Sequence, residues 1–204
     1  MLKIIILGTL SGEFLPPQII YQGKSSACHP DYDFPLALNI THSPNHWANT
    51  EMQLEYSSRI LSPHIEKTKK KLGLPKSQKS LCLCDVFRAQ MAKEFIEDLK
   101  SRNIEVVYIP PSTTDKLQPM DLSIQKVVKD KMKAHFQSWY ASCISKQLSQ
   151  GSDIESIKPV DLRLSVLKPL GAKWLVETHK DIKCQPQLIV NGFEKAGIAS
   201  VCRK

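Results

Sequence analysis

The stretch that decides the fold runs from Ser80 to Pro111, SLCLCDVFRAQMAKEFIEDLKSRNIEVVYIPP. Residues 80–84 are a short, nearly all-apolar run that ends on Asp85. Residues 105–109 (EVVYI) are a second such run, closed by Pro110-Pro111. Between them, residues 90–101 read as a helix. Strand, helix and strand at this spacing predict a parallel βαβ unit buried on both faces, because parallel strands need a crossover and the crossover covers the sheet. In such sheets chemistry gathers at the carboxyl ends of strands, which is where Asp85 falls.

Upstream, residues 3–10 (KIIILGTL) and 15–21 (LPPQIIY) are apolar runs separated by Ser11-Gly12-Glu13, which predicts a hairpin. Pro16 and Pro17 cannot donate to a ladder, so the second strand should begin after them or lie at an edge. Residues 22–35 read as loop, with a short strand at 36–41. From Thr50 to Lys71, Met52, Tyr56, Ile60 and Ile65 recur at helical spacing, and Pro63 predicts a kink or break near Ser62.

Downstream, Pro119 is placed to start one long helix over 119–149. Its apolar stripe is Ile124, Val128, Met132, Phe136, Trp139 and Cys143, and Lys126, Lys129 and Lys133 project away from it. After a break at Gly151-Ser152 come helices at 161–180 and 186–196, the second ended by Gly197. Residues 1–150 are therefore expected to form the core of the domain and 151–204 a helical extension of it.

A chain of 204 residues can bury one good core, and one domain is the expectation. Hydrophobic residues make up 42% and charged residues 24%, which argues against wholesale disorder. The net charge of +8 favours polyanionic partners through phosphate neutralisation, although a solvated lysine face gives the same composition. Six scattered cysteines with no CxxC pair suggest a reducing compartment. The apolar run at residues 4–7 is too short for a signal segment or a membrane span, so a soluble intracellular protein is expected.

Phosphodiester chemistry with two divalent metals needs several carboxylates converging on ions roughly 3.5–4 Å apart, and hard oxygen ligands suit magnesium. Asp85 at a strand end and Asp121 in the first turn of a later helix could meet at the carboxyl edge of the sheet. Each also has a plainer role. Asp121 could serve only the helix dipole, and Asp85 could cap the helix that follows it.

Residues 81–90 (LCLCDVFRAQ), 109–124 (IPPSTTDKLQPMDLSI) and 189–198 (IVNGFEKAGI) resemble the DDE superfamily endonuclease domain of the pogo, Tigger and jerky-like transposase group. So do 9–24 (TLSGEFLPPQIIYQGK), 46–51 (HWANTE) and 168–176 (KPLGAKWLV), so the resemblance covers nearly the whole chain. The Pro-Pro-x-Thr-Thr-x-x-Leu-Gln-Pro-x-Asp pattern at 110–121 is its most specific part. The resemblance implies an α/β, RNase H-like mixed sheet flanked by helices. It also implies that Asp85 and Asp121 are the second and third catalytic carboxylates, both ligands of Mg²⁺ or Mn²⁺, and that the setting is the nucleus.

No residue here matches the family's first carboxylate, whose strand precedes the hairpin and is the central one, between that hairpin and the strand ending at Asp85. The expectation is a domain with its first, central strand missing, an incomplete metal site and little or no nuclease activity. The exposed edges would then close up, accept another strand or self-associate.

Other clusters carry less. Cys28, His29, His42 and His46 could be drawn as a zinc site, but adjacent Cys28 and His29 are not expected to face one ion, and the spacing fits no common finger. Cys82 and Cys84 share one side of their strand and read as core residues. Trp47 and Trp139 read as packing residues, with base stacking as the alternative. Lys116, Lys126, Lys129 and Lys133 lie where a DNA backbone would pass Asp121.

Three functions follow as expectations. The first is a transposase-derived DNA-binding domain with a degenerate active site. The second is an active metal-dependent endonuclease completed by another carboxylate, for which Asp115 and Glu13 are nearest in sequence. The third is a protein-interaction module or a non-functional fragment.

Overall fold

The computed structural model describes residues 2–151 and 156–202. It is a mixed α/β arrangement with two small sheets. β1 (Leu2–Ile5) pairs antiparallel with β2 (Gln18–Gln22), and β2 pairs parallel with β3 (Asn39–Ser43). β4 (Ser80–Cys84) and β5 (Ile104–Tyr108) form the second sheet and are parallel. The helix that crosses between them is α3 (Lys93–Ser101), so the predicted βαβ unit is present.

The hairpin forms with a flaw that its prolines explain. Between the pairs Ile5↔Gln18 and Gly8↔Phe14 one strand has two residues and the other has three, Leu15, Pro16 and Pro17. This is a bulge, and it occurs where two residues cannot donate to the ladder. The short strand expected at 36–41 is found slightly later, as β3.

The helix predicted over 50–71 is continuous in course but not in pitch. α1 (Thr50–Tyr56) is capped by the Asn49 side chain, which accepts from the Met52 amide at 2.9 Å. A π-helical turn over Ser57–Leu61 then leads into α2 (Ser62–Lys71), which has Pro63 in its first turn. The wider turn accommodates a proline that would otherwise clash with the preceding carbonyls, so the break falls just before Ser62.

The long helix expected from Pro119 is divided. α4 (Thr114–Leu117) and α5 (Pro119–Leu122) are single turns, and α6 (Ile124–Ser149) starts only after Ser123, whose φ of −136° is not helical. The break lies where this segment packs closely against α8 (Pro186–Lys195). α7 (Leu164–Lys183) and α9 (Ile198–Cys202) complete the helices. The break expected at Gly151-Ser152 is seen at Gly151, with φ of +86°, while Ser152 lies outside the described residues.

One core joins Phe14, Met120, Ile124, Ile182, Ile189 and Phe193, and so ties the hairpin to α5, α6, α7 and α8. A second lies under the βαβ unit, where Leu99 and Ile104 are fully buried, worth about 1.5–3 kcal/mol each. The first sheet is bound to α1 by amides. Gln18 Nε2 donates to Asn39 Oδ1 at 2.6 Å and to the Met52 carbonyl at 3.0 Å. Among the described residues no helix is long and apolar enough to cross a membrane.

Candidate cation and nucleic-acid site

Asp85 stands at the carboxyl end of β4, one residue beyond the last rung, where the Ile109 amide donates to the Cys84 carbonyl at 2.9 Å. Its carboxylate accepts from the Val86 amide and its carbonyl from the Phe87 amide, both at 2.8 Å, so it is fixed in a tight turn. α3 begins only at Lys93 with Ala92 as its N-cap, so Asp85 does not cap it.

Asp121 comes from α5, whose single turn offers little of the summed dipole of a full helix. Its Oδ1 is buried without a hydrogen-bond partner. Burial, and then the negative charge of Asp85, hold its carboxyl above the usual carboxylate range, while the Gln125 side chain and the charge of Lys129 pull the other way. The fold therefore brings the two sequence-predicted carboxylates into one electrostatic field.

The reason α5 sits there is Gly192. A Cβ on that residue would run into the Pro119 carbonyl and Ser123 Oγ, and Ser123 Oγ itself donates to the Pro119 carbonyl at 2.9 Å. Contact this close between α8 and α5 is open only to glycine. Gly8 allows a similar approach from β1's extension, since its Cβ would meet Ile189 Cγ2 at 2.8 Å and Met120 Cε at 2.9 Å.

A cationic and aromatic group that the sequence did not reveal lies beside Asp85. Lys3 Nζ sits 4.4 Å from the ring centre of Trp47 and 4.3 Å from that of Phe87, and those rings stack on each other. Burial lowers the pKa of Lys3, and the charge of Asp85 opposes that shift. Trp47 is 50% exposed, so it is not the packing residue expected. It is held by stacking on a turn, between His46 and Phe87. Trp139 does pack, against Phe136 and Trp174. Cys84 is buried and Cys82 lies against the core under the βαβ unit.

Of the four lysines expected to meet DNA, all are exposed. Lys126, Lys129 and Lys133 share one face of α6, and Lys126 is partly neutralised by Asp130 at 3.0 Å. Lys116 lies on α4. The two further acidic candidates do not join the pair. Glu13 faces His64 at 3.5 Å, and Asp115 is exposed on α4.

Between the two sheets runs a cleft of about 920 Å³, lined by residues 3–8 on one wall and 80–85 on the other. Among the described residues β1 pairs only with β2 and β4 only with β5, so each has one open edge. Gln53, Gln90 and Gln118 also line this cleft, and each has a buried side-chain atom without a partner.

A second cluster corrects an expectation. Cys28, His29 and His42 offer ligand atoms that all lie within 4.8 Å of one another, although adjacent Cys28 and His29 were not expected to face one point. Cys28 ends a 3-10 turn (Ser26–Cys28) and His29 is extended, with φ −69° and ψ 152°, so the backbone bends between them. His46 remains with Trp47.

The chain matches the family described as DDE superfamily endonuclease over residues 5–186. It is similar to the human "Pogo transposable element with KRAB domain", 24% identical over 198 residues, which cover 96% of this chain and 29% of that protein. The mouse protein of the same name is 23% identical over the same shares. The mouse "Jerky protein" is 28% identical over 82 residues, 40% of this chain and 14% of that one. The chain thus spans less than a third of the length of the curated pogo relatives it matches. No solved structure matches it significantly. With the family matched from the hairpin through α7, the chain belongs to the DDE superfamily endonuclease family.

Proposed function

We propose that this chain is a transposase-derived domain that binds DNA through its phosphate backbone, in the nucleus, and does not cleave it. The observation that carries this is the electrostatic coupling of Asp121 to Asp85, near Lys3 and Lys129, with no third carboxylate converging on them among the described residues. The family's description as an endonuclease supports a nucleic acid as the partner.

The donor set fits one hydrated Mg²⁺ or Mn²⁺, an ion commonly held by one or two carboxylates and several waters. The unpartnered Oδ1 of Asp121 is suited to such a ligand role. When bound, the ion would supply positive charge to a phosphate oxygen. Asp85 and Asp121 would hold it, and Lys129 and Lys133 would position the strand. Two carboxylates offset less of the charge of a two-ion site than the chemistry requires.

In an RNase H-like sheet the central strand would run between β1 and β4, and the cleft lies along both open edges. We read the cleft as the place of that strand. A second function rests on the same observation: a strand entering there from another segment or subunit, with an acidic residue at its end, would complete an active endonuclease.

The test is binding of a labelled duplex against salt, with nicking assayed in Mg²⁺ and Mn²⁺. Affinity that falls linearly with log salt, shows little sequence preference and is accompanied by no nicking supports DNA binding without catalysis. Nicking that disappears in Asp85→Asn supports the completed enzyme instead. No binding at low salt, with self-association, would leave a protein-interaction module.

A further inference from the structure

The geometry points to a zinc site at Cys28, His29 and His42, with its remaining coordination position beside the hydroxyl of Tyr21. The cluster is the one group of three convergent ligand side chains of its kind among the described residues. His29 Nε2 and His42 Nδ1 are 3.2 Å apart, and all three ligand atoms lie within 4.8 Å. A tetrahedral ion with nitrogen at about 2.0–2.1 Å and sulfur at about 2.3 Å separates its ligands by roughly 3.3–3.6 Å. The two imidazole nitrogens stand about 0.1 Å inside that range, and the thiol sulfur lies within 4.8 Å of both.

One thiolate and two imidazoles select zinc or a similar borderline metal over magnesium or calcium, which prefer oxygen ligands. The site is therefore chemically distinct from the carboxylate pair. Its supporting shell is also present. The ring of His29 is hydrogen-bonded to the backbone of Thr41, a contact of the kind that fixes the orientation of ligating histidines. Lys168 Nζ donates to the Cys28 carbonyl at 2.9 Å and ties the turn to α7.

An independent observation marks the fourth position. Tyr21 is 1% exposed and its hydroxyl has no hydrogen-bond partner. It stands opposite His42 in the β2–β3 ladder, and its ring lies 5.6 Å from that of His29. A buried phenol with no partner is costly, and a zinc-bound water would satisfy it. Gly23 is what lets Cys28 lie so near the end of β2, because a Cβ there would collide with the Cys28 side chain.

Binding moves atoms simply. The Cys28 thiol loses its proton to solvent, the thiolate sulfur donates a pair to Zn²⁺, and each imidazole donates the lone pair of its ligating nitrogen. The result is a clamp that closes residues 23–38 onto β3. No oxidation is involved.

The test is titration of the full chain, under a phosphine reductant, first with Co²⁺ as a spectroscopic probe and then with Zn²⁺ in competition. The expected result is one equivalent of tetrahedral Co²⁺ with a thiolate charge-transfer band, displaced by Zn²⁺. Cys28→Ser should lose the band and bind more than about 100-fold more weakly, beyond the cost of losing an outer partner. Tyr21→Phe should keep the band and lose roughly tenfold in affinity. The exposed-cysteine variant Cys184→Ser should bind as the wild type does. Circular dichroism of metal-free Cys28→Ser checks that it folds, and His42→Gln gives an independent ligand deletion. A band that persists in Cys28→Ser, or a wild-type chain that gives none, would overturn the assignment.

Discussion

The carboxylate pair and the Cys28 cluster are built in opposite ways. Asp85 and Asp121 come from distant elements and are each held by their own backbone turn, and α5 is further pressed into place by Gly192. Cys28, His29 and His42 come from one loop and the strand next to it, held by a short turn and a ladder. The first site is acidic and partly open, and its two members repel each other. The second is a mixed sulfur and nitrogen set beside an unsatisfied phenol. A site whose ligands are set by remote packing is easily spoiled from afar, whereas one whose ligands come from a loop and the adjoining strand depends mainly on local geometry.

The largest effect that would sharpen this contrast is Gly192→Ala. Overpacking against Pro119 and Ser123 should cost about 1–3 kcal/mol in urea unfolding and should weaken Mn²⁺ binding at Asp121, while cobalt binding at Cys28 stays intact. Equal loss at both sites would erase the distinction. Next in size, the double change Lys129→Glu with Lys133→Glu should lower the slope of log affinity for duplex DNA against log salt by about two, as expected for two phosphate contacts. An unchanged slope would make that face merely solvated.

A smaller effect concerns pH. Because the Asp121 carboxyl lies above its ordinary range in the folded chain, its contribution favours folding below the unfolded pKa and is lost as pH rises through the folded one. In metal-free buffer Asp121→Asn should therefore raise Tm near neutral pH, and the gain should vanish in acid. Asp85→Asn should bring the Asp121 carboxyl back toward its ordinary range, a shift that NMR titration reads directly.

Much of this was legible in the chain itself. The run 80–84 ending on Asp85 and the run closed by Pro110-Pro111 form the parallel pair that their composition predicts, with the expected helix between. The charge of Asp85 reaches Asp121, where after burial it is the next cause of the raised carboxyl pKa. The break at Ser123 was not legible, because it lies in a close contact with Gly192, nearly seventy residues away. Nor was the stacking of Lys3, Trp47 and Phe87, which assembles one residue of β1 and one from each of two loops. The convergence of Cys28, His29 and His42 was not legible either, because the residues are unlike any common finger in spacing and the adjacency of Cys28 and His29 is overcome only by the backbone bend between them. The parallel pairing of β2 with β3 leaves no mark in a strand as short as Asn39–Ser43.

The most direct test of the central claim is a paired assay of duplex DNA binding and nicking by the wild-type chain and its Asp85→Asn variant in Mn²⁺. DNA binding without cleavage in both proteins, with tighter Mn²⁺ binding in the wild type alone, is the predicted result. Cleavage by the wild type that is abolished in Asp85→Asn would contradict it, and would mean that a further carboxylate completes the site.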